Sequence, residues 1–219
     1  MSTILIFLKA PRLGTVKTRL ADTVGPKVAQ SIYRELVEGQ MARLSERDTI
    51  CVQYAPHDAA ADMTAWLGAD VSYRAQCEGD LGARLSDAIM THFQMGHSRL
   101  ICIGGDCPQL AVRHIAAAES AMDAGADLAL GPTEDGGFYL LGLSAPHSGL
   151  FSAVRWSTES TRSDVIKNAT QLNLKVEQLE MLYDVDDWMS YQRAIAEGHQ
   201  MALNFVADPG SGVGLTQSD

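Results

Sequence analysis

The chain opens with Thr3-Ile4-Leu5-Ile6-Phe7-Leu8, an apolar run that breaks into Lys9-Ala10-Pro11-Arg12-Leu13-Gly14-Thr15-Val16-Lys17-Thr18-Arg19-Leu20. A hydrophobic strand that leads into a glycine-containing loop and then into a helix is typical of a phosphate site, because backbone N–H groups and a helix N-terminus can face the anion. This opening holds four basic side chains and no acid, although the whole chain has a net charge of -10. We therefore interpret it as a site for a small polyanion. The alternative is a buried first strand followed by a solvated basic loop.

Composition places the chain among ordinary globular proteins. Its 219 residues are 46% hydrophobic and 20% charged, which favours one large domain with a sizeable core. The acidic balance argues against nucleic-acid binding, which needs a basic field. No apolar stretch is long enough to cross a membrane, and the first one lacks the flanks of a signal peptide, so we expect a cytoplasmic protein. The four cysteines are scattered and form no Cys-x-x-Cys pair, which predicts free buried thiols.

Strand-like and helix-like segments alternate along the chain. Apolar periodicity predicts strands over 4–8, 49–54, 70–74, 99–103, 127–131, 137–143 and 175–182, and helices over 26–44, 58–67, 81–93, 112–124, 161–172 and 188–198. This alternation predicts the α/β class, a single domain with a mainly parallel twisted sheet flanked by helices. Glycines at the strand ends place a ligand at the carboxyl edge of the sheet. We assign the domain to residues 1–207 and expect the Gly- and Ser-rich stretch 208–219 to be a flexible tail.

Two acidic segments that follow predicted strands are candidates for a metal site. Asp106 comes directly after Gly104-Gly105, and Asp184-Val185-Asp186-Asp187 precedes the last predicted helix. Carboxylates at the edge of a sheet suit a hard divalent cation. Helix capping is the alternative for both segments, since Asp is a good N-cap residue. In the second segment one Asp can cap the helix while another binds the ion.

Three further polar loops could line a ligand site. Glu134-Asp135-Gly136-Gly137 stands before an apolar strand, and Trp156-Ser157-Thr158 stands before a helix. Their carboxylates and hydroxyls suit a hydroxyl-rich ligand, although turn chemistry explains them equally well. In the third loop, Gly79 and Asp80 come just before Arg84, which lies one turn into a helix and could reach a phosphate. The sequence shows no obvious Cys or Ser nucleophile, so a direct displacement is expected rather than a covalent intermediate.

Together these motifs resemble the nucleotide-diphospho-sugar transferase superfamily, which has the GT-A fold. Within it the chain is similar to a bacterial glycosyltransferase-like family of the selenodomain-associated transferase type. The resemblance spans residues 2–198 and rests on the order of the motifs: Lys9 to Leu20, Gly79 to Arg84, Ile103 to Pro108, Gly131 to Tyr139, the Trp-Ser-Thr loop and Asp184 to Asp187. The guanylyltransferases that act on phospholactate or molybdopterin are similar in the opening loop and in the Asp at the strand end.

The resemblance implies a metal-dependent transferase that uses a nucleotide or nucleotide sugar. It implies nucleotide and phosphate binding by Lys9, Pro11, Gly14, Lys17, Arg19, Gly79, Asp80 and Arg84, and catalytic roles for Lys17, Arg19 and Asp106. It further implies that Asp106 and Asp186 hold one Mg²⁺ or Mn²⁺ ion. Their carboxylates should then lie within about 6–8 Å of each other, since each ligating oxygen is about 2.0–2.6 Å from such an ion. We expect the loops Glu134-Asp135-Gly136-Gly137 and Trp156-Ser157-Thr158 to contact the donor or the acceptor.

The chemistry stays open between three functions. Many glycosyltransferases of this fold carry Asp-x-Asp where this chain has the single Asp106. We expect a glycosyltransferase that acts on a nucleotide sugar. The alternatives are a nucleotidyltransferase that acts on a small phosphorylated acceptor, and a nucleotide-binding module without turnover.

Overall fold

The computed structural model describes residues 2–44 and 49–199. Within them the strands are β1 (Thr3–Lys9), β2 (Ile50–Ala55), β3 (Ser72–Ala75), β4 (Leu100–Ile103), β5 (Leu128–Pro132), β6 (Phe138–Leu143) and β7 (Val176–Gln178). The helices are α1 (Thr18–Val24), α2 (Pro26–Arg43), α3 (Ala60–Leu67), α4 (Leu81–Gln94), α5 (Val112–Asp123), α6 (Thr161–Gln171) and α7 (Trp188–Ala196). The tail expected over 208–219 and the end of the domain expected at 207 lie outside the described residues.

The strands form one seven-stranded sheet in the order β3-β2-β1-β4-β6-β5-β7. Neighbouring strands pair in parallel except around β6, which is antiparallel to both β4 and β5. The predicted α/β class and mainly parallel sheet are therefore confirmed. Because β6 runs the opposite way, its amino end meets the carboxyl ends of β4 and β5. The loop 133–137 consequently lies at the same edge of the sheet as Asp106.

The sheet is buried on both faces, as the unbroken apolar run at the start of the chain predicts. In β1, Ile4, Ile6 and Leu8 pack into a cluster on one face, while Leu5 packs into a cluster on the other. A third cluster joins α1, α2 and α7 through side chains such as Leu20, Ile32 and Tyr191. This third cluster brings the segment before α7 next to the loop that follows β1.

The structure differs from the sequence-based expectation in a few elements. A helix was expected after the first loop without bounds, and α1 covers Thr18–Val24 there. β7 covers Val176–Gln178 instead of 175–182. The cysteines are free as expected, and Cys77 is only half-buried while the other three are buried. Among the described residues, no helix has both the length and the apolar character that a membrane crossing requires. The cytoplasmic location stays a prediction.

Candidate functional site

Three charged side chains meet at the carboxyl edge of the sheet. Lys17 Nζ donates to Asp106 Oδ2 at 2.9 Å and to Asp186 Oδ1 at 2.7 Å. The sum of these two distances, 5.6 Å, is the largest possible separation of the two carboxylate oxygens. The backbone joins the same segments, because the Val185 N–H donates to the Asp106 carbonyl at 2.9 Å. The two carboxylates thus lie within the distance of about 6–8 Å that was expected of them.

Lys17 occupies an electrostatically demanding position. Its side chain is only 6% exposed, and its backbone is in the left-handed region with φ at 47°. Burial lowers the pKa of Lys17, but the charges of Asp106 and Asp186 outweigh this effect and hold that pKa above its ordinary value. Burial has the opposite effect on a carboxyl group and raises the pKa of Asp186. The charge and hydrogen bond of Lys17 outweigh this effect of burial and keep the pKa of Asp186 below its ordinary value. The site is therefore built around a buried positive charge between two carboxylates.

Asp184 adds a third acid that the sequence analysis quoted without giving it a role. Its Oδ1 is buried and has no hydrogen-bond partner among the described residues. Burial, followed by the charge of Asp106, raises the pKa of Asp184 well above its ordinary value. A signal was present in the sequence. Asp184 and Asp186 flank Val185, which is fully buried, and both acids line the cleft, so the alternating Asp-Val-Asp pattern could have pointed to Asp184.

Helix capping is settled by the side chains. Asp187 is the N-cap of α7, and its Oδ1 accepts from the Ser190 N–H at 2.9 Å. The N-cap of α5 is Ala111, so Asp106 caps no helix. Of the two alternatives open for the acidic segments, capping applies to Asp187 and leaves Asp106 and Asp186 to face the site.

The three charged residues lie in a cleft with two halves. The basic half, about 390 Å³, is lined among others by Lys9, Lys17, Arg19 and Arg84. The acidic half, about 360 Å³, is lined among others by Asp135, Asp184, Phe138, Trp156, Ser157 and Thr158. Both halves share Phe7, Leu81, Gly104, Asp106 and Asp186. Each volume falls in the range of about 300–1,000 Å³ that is usual for small-molecule sites.

The cations of the basic half differ in their exposure and in the hydrogen bonds that they already form. Arg19 is 72% exposed, with Nη1 3.6 Å from Asp186 Oδ2. Arg84 donates from Nε to the Gly79 carbonyl at 3.0 Å and from Nη1 to Gln76 Oε1 at 3.3 Å. Lys9 is exposed at the end of β1. Arg19 and Lys9 are therefore available to an anion, Arg84 is positioned by the loop before α4, and Lys17 is tied to the acids.

Two uncharged residues of the basic half were missed by the sequence analysis. The Tyr33 hydroxyl accepts from the Lys9 N–H and donates to the Lys9 carbonyl, both at 3.0 Å. Gln76 Nε2 donates to the Gln53 carbonyl at 2.7 Å and to the Leu8 carbonyl at 3.2 Å. Both side chains fix the end of β1. Tyr33 stands in no motif, and Gln76 opens the polar stretch that leads to Gly79 and Arg84, but only the fold shows what the two side chains contact.

Several expected site residues have local structural roles and do not line either half. Asp80 is the N-cap of α4, accepting from the Ala83 N–H at 2.8 Å. Glu134 forms an ion pair with Arg193 at 2.8 Å on the surface. The Pro11 carbonyl accepts from the Gln30 side chain. The remaining three, Gly14, Gly79 and Gly136, have positive φ angles and supply turns.

The acidic half is held together by two loops that touch. A Cβ on Gly136 would lie 2.2 Å from the Glu159 carbonyl oxygen, so only glycine allows this approach. Asp135 Oδ1 accepts from Thr133 Oγ1 at 2.6 Å and from the Gly137 N–H at 2.9 Å, which fixes the turn. The loop before β6 and the loop before α6 therefore form one wall of the cleft.

A divalent cation fits the two acids. Among residues 2–44 and 49–199, no group of three or more His, Cys, Asp or Glu side chains is placed to hold an ion by itself. Mg²⁺, however, is usually held by one or two carboxylates, with waters and substrate phosphates supplying the rest. The place between Asp106 and Asp186 already holds a positive charge, and Asp184 leaves an unpartnered buried oxygen nearby. These residues suit such an ion, and its binding stays a prediction.

Comparisons with known proteins agree with this fold. The family described as "Uncharacterized protein conserved in bacteria (DUF2064)" matches residues 39–158. A crystal structure of a provisionally named nucleotide-diphospho-sugar transferase from Desulfovibrio desulfuricans G20 has a TM-score of 0.79 and 31% identity, over 85% of this chain and 84% of that one. No curated protein sequence matches the chain.

More distant structures share only the fold. Rv0371c of Mycobacterium tuberculosis H37Rv, solved in complex with manganese, has a TM-score of 0.55 and 18% identity, over 90% of this chain and 99% of that one. The 4-diphosphocytidyl-2C-methyl-D-erythritol synthase of Anaerococcus prevotii DSM 20548 has a TM-score of 0.57 and 11% identity, over 90% and 98%.

Proposed function

The chain belongs to the DUF2064 family, and from that premise we propose that it is a metal-assisted transferase whose donor is a nucleotide sugar. The finer resemblance, to glycosyltransferase-like proteins of the selenodomain-associated type, is part of this proposal. One observation carries it: Asp106 and Asp186 meet at the boundary between a basic and an acidic half of one cleft. A diphosphate in the basic half would reach the two acids with its sugar pointing into the other half.

The residues of the basic half would bind the nucleotide. Lys9, Arg19 and Arg84 neutralise the diphosphate through charge-assisted hydrogen bonds. Asp106 and Asp186 would hold the divalent ion, which would supply Lewis-acid stabilisation of charge on the departing diphosphate. Lys17 keeps the two carboxylates together in the ion-free protein. Its ammonium also lines the basic half, where it would support charge on the same phosphates.

The transfer is a direct displacement. An acceptor oxygen forms a bond to the anomeric carbon while the bond from that carbon to the diphosphate oxygen breaks. The electron pair of that bond leaves with the nucleoside diphosphate, and the acceptor's proton passes to water in the open cleft. The loops 134–137 and 156–158 hold the transferred group or the acceptor during this step, and their fixed turn geometry orients it.

A panel of nucleoside diphosphates and nucleotide sugars, titrated by calorimetry with Mn²⁺, tests the proposal. Arg19→Ala and Arg84→Ala should each weaken nucleotide binding by about 1–3 kcal/mol, the range for hydrogen bonds to charged groups. The matched control is Arg113→Ala, since Arg113 is 65% exposed on α5 and lies outside both halves. Unchanged nucleotide affinity in both cleft variants would overturn the assignment.

Turnover distinguishes the alternatives. A glycosyltransferase should hydrolyse its nucleotide sugar slowly in the presence of metal, even without an acceptor. Nucleotidyl transfer is the second candidate, favoured by the single acid at the end of β4. It would instead release pyrophosphate from a nucleoside triphosphate when a small phosphorylated acid is supplied. Tight nucleotide binding with neither reaction would indicate a binding module.

A further inference from the structure

One face of α2 contacts the ends of the two neighbouring strands β1 and β4. Four residues lie along this face at spacings of three or four: Gln30, Tyr33, Val37 and Gln40. The first two contact the backbone at the end of β1, since the Gln30 side chain donates to the Pro11 carbonyl and the Tyr33 hydroxyl bonds to the Lys9 backbone. The last two contact the segment that follows β4 and carries Asp106.

Gln40 reaches the backbone two residues before Asp106. Gln40 is only 1% exposed, and its Nε2 donates to the Gly104 carbonyl at 2.6 Å. Its Oε1 is buried and has no hydrogen-bond partner among the described residues. The side-chain amide of Gln40 is therefore directed at the end of β4.

The segment 104–106 is held from two sides. Gly105 fits tightly between β1 and α2, since a Cβ at this position would overlap the Leu8 side chain. On the other side, the Val185 N–H donates to the Asp106 carbonyl at 2.9 Å. Thus α2 anchors one end of this short segment, and the backbone before α7 anchors the other.

The Asp106 carboxylate lies close to the backbone that Gln40 holds. A Cβ on Gly104 would be 3.0 Å from Asp106 Oδ1, so the carboxylate packs against the Gly104 backbone. The oxygens that bind a divalent ion lie about 2.0–2.6 Å from it, a narrow range. A shift of the segment by a few tenths of an ångström would therefore change how well Asp106 and Asp186 fit one ion.

We propose that Gln40 is a positioning residue, whose hydrogen bond to the Gly104 carbonyl keeps the Asp106 carboxylate where it can share an ion with Asp186. This inference rests on the proposed function for the role of the two acids and deepens it. Replacing a group that orients a metal ligand from outside the coordination sphere typically weakens metal binding about 10–100-fold. Gln40 acts through the backbone, so we expect the lower end of this range.

The test replaces Gln40 with Met, which has a similar length and no N–H donor. The substitution removes the bond to Gly104 and also removes the buried, unpartnered Oε1, and these two changes have opposite effects on stability. We expect Tm to shift by less than about 4 °C. The Mn²⁺ affinity measured by calorimetry should fall about tenfold. A side chain that only fills the core would instead lower Tm and leave the Mn²⁺ affinity of the folded protein unchanged.

A second measurement needs neither ion nor substrate. Hydrogen exchange of the Val185 amide, followed by NMR in EDTA, reports on its bond to the Asp106 carbonyl. In Gln40→Met this amide should exchange at least tenfold faster than in the wild type, because the segment has lost its anchor on α2. The Leu5 amide in the centre of β1 should keep its exchange rate, which separates local loosening from a general loss of stability.

Gln53→Met is the matched control. Gln53 is also fully buried and also has an unpartnered Oε1 among the described residues, but it lies on β2 and its Nε2 donates to Cys51 Sγ at 3.2 Å. This variant should change neither the Mn²⁺ affinity nor the exchange of Val185. Gln40→Leu, which also lacks a donor, repeats both measurements with a side chain of different shape.

Two results would overturn the inference: exchange of Val185 at the wild-type rate in both Gln40 variants, or a wild type that binds Mn²⁺ no more tightly than these variants do. The proposed function fails by a different result, a wild type that binds no nucleotide in the presence of Mn²⁺. Exchange of Val185 is measured without ion or nucleotide, so it decides whether Gln40 positions Asp106 in either case.

Discussion

Replacing Lys17 with Met tests the charge arrangement at the centre of the site. The substitution removes the ammonium that lies 2.9 Å from Asp106 and 2.7 Å from Asp186, and it keeps an unbranched side chain of similar length. In the ion-free protein, two carboxylates then face each other with no cation between them. The folded state should lose stability, and the vacated position should accept a divalent ion more readily.

The size of the effect follows from burial. A hydrogen bond to a charged group contributes about 1.5–3 kcal/mol, and Lys17 makes two. The Asp106 and Asp186 side chains are 34% and 40% exposed, so water takes over much of what Lys17 provided. The desolvation cost of a buried ammonium also disappears. We expect a net loss of about 2 kcal/mol, which lowers Tm by about 4–8 °C in a domain of this size.

Thermal unfolding and calorimetry provide the assay. In EDTA, Lys17→Met should melt below the wild type, and added Mn²⁺ should recover most of the difference because an ion that binds the folded state stabilises it by mass action. The Mn²⁺ affinity of the variant should exceed that of the wild type at least tenfold, since the ion no longer competes with an ammonium. Lys27→Met, at an exposed lysine of α2, is the control. Unchanged stability in EDTA together with unchanged Mn²⁺ affinity would refute the reasoning.

Two further predictions concern the wall of the acidic half and its support. Gly136→Ala and Gly96→Ala both place a side chain at positive φ, but only a side chain at Gly136 would meet Glu159. In urea unfolding, Gly96→Ala should lower the free energy of unfolding by about 1 kcal/mol, and Gly136→Ala should lower it by about 1–3 kcal/mol more. Equal losses in the two variants would contradict the close contact between Gly136 and Glu159. Hydrogen bonds from Arg155 lower the pKa of Asp164 from 3.8 to about 2, which stabilises the folded state above pH 3.8 and is lost as the pH falls toward 2. Arg155→Ala should therefore have a lower urea midpoint than the wild type at pH 5, and the gap should narrow below pH 3.8 and close only below pH 2. A gap that stays constant would speak against this pair.

The convergence of Asp106 and Asp186 could be predicted because it follows from strand direction alone. Parallel strands end at one edge, and the acids follow β4 and the last predicted strand in the sequence. Asp187 as a helix cap was also foreseen, since local sequence determines capping. Patterns that depend on neighbours within a few residues, or on the direction of a strand, are therefore readable from this chain.

The features of the fold and the site that were not predicted depend mostly on contacts between distant parts of the chain. Lys17 was expected to face phosphates, and its pairing with two acids, 89 and 169 residues away, needs the folded structure. The bounds of α1 could not be predicted because the helix has only seven residues and starts after a lysine with left-handed backbone. The antiparallel direction of β6 stayed open, because the Asp135-Gly136 turn fits a hairpin while an apolar run of six residues fits both directions equally well.

Lys17 pairs with one acid that follows β4 and with another from the segment before α7, which has a consequence for the order of events during translation. A ribosome makes Lys17 and β1 early, and Asp186 appears only when most of the chain has been synthesised. Until then the central strand can pair with β2 and β4, but Lys17 lacks one of its two carboxylates. Translation therefore finishes the sheet before it finishes the site. We expect a nascent chain stalled before residue 184 to form the strands of the sheet without Asp184 and Asp186, so the group of charged residues around Lys17 is completed only once the segment before α7 has been made.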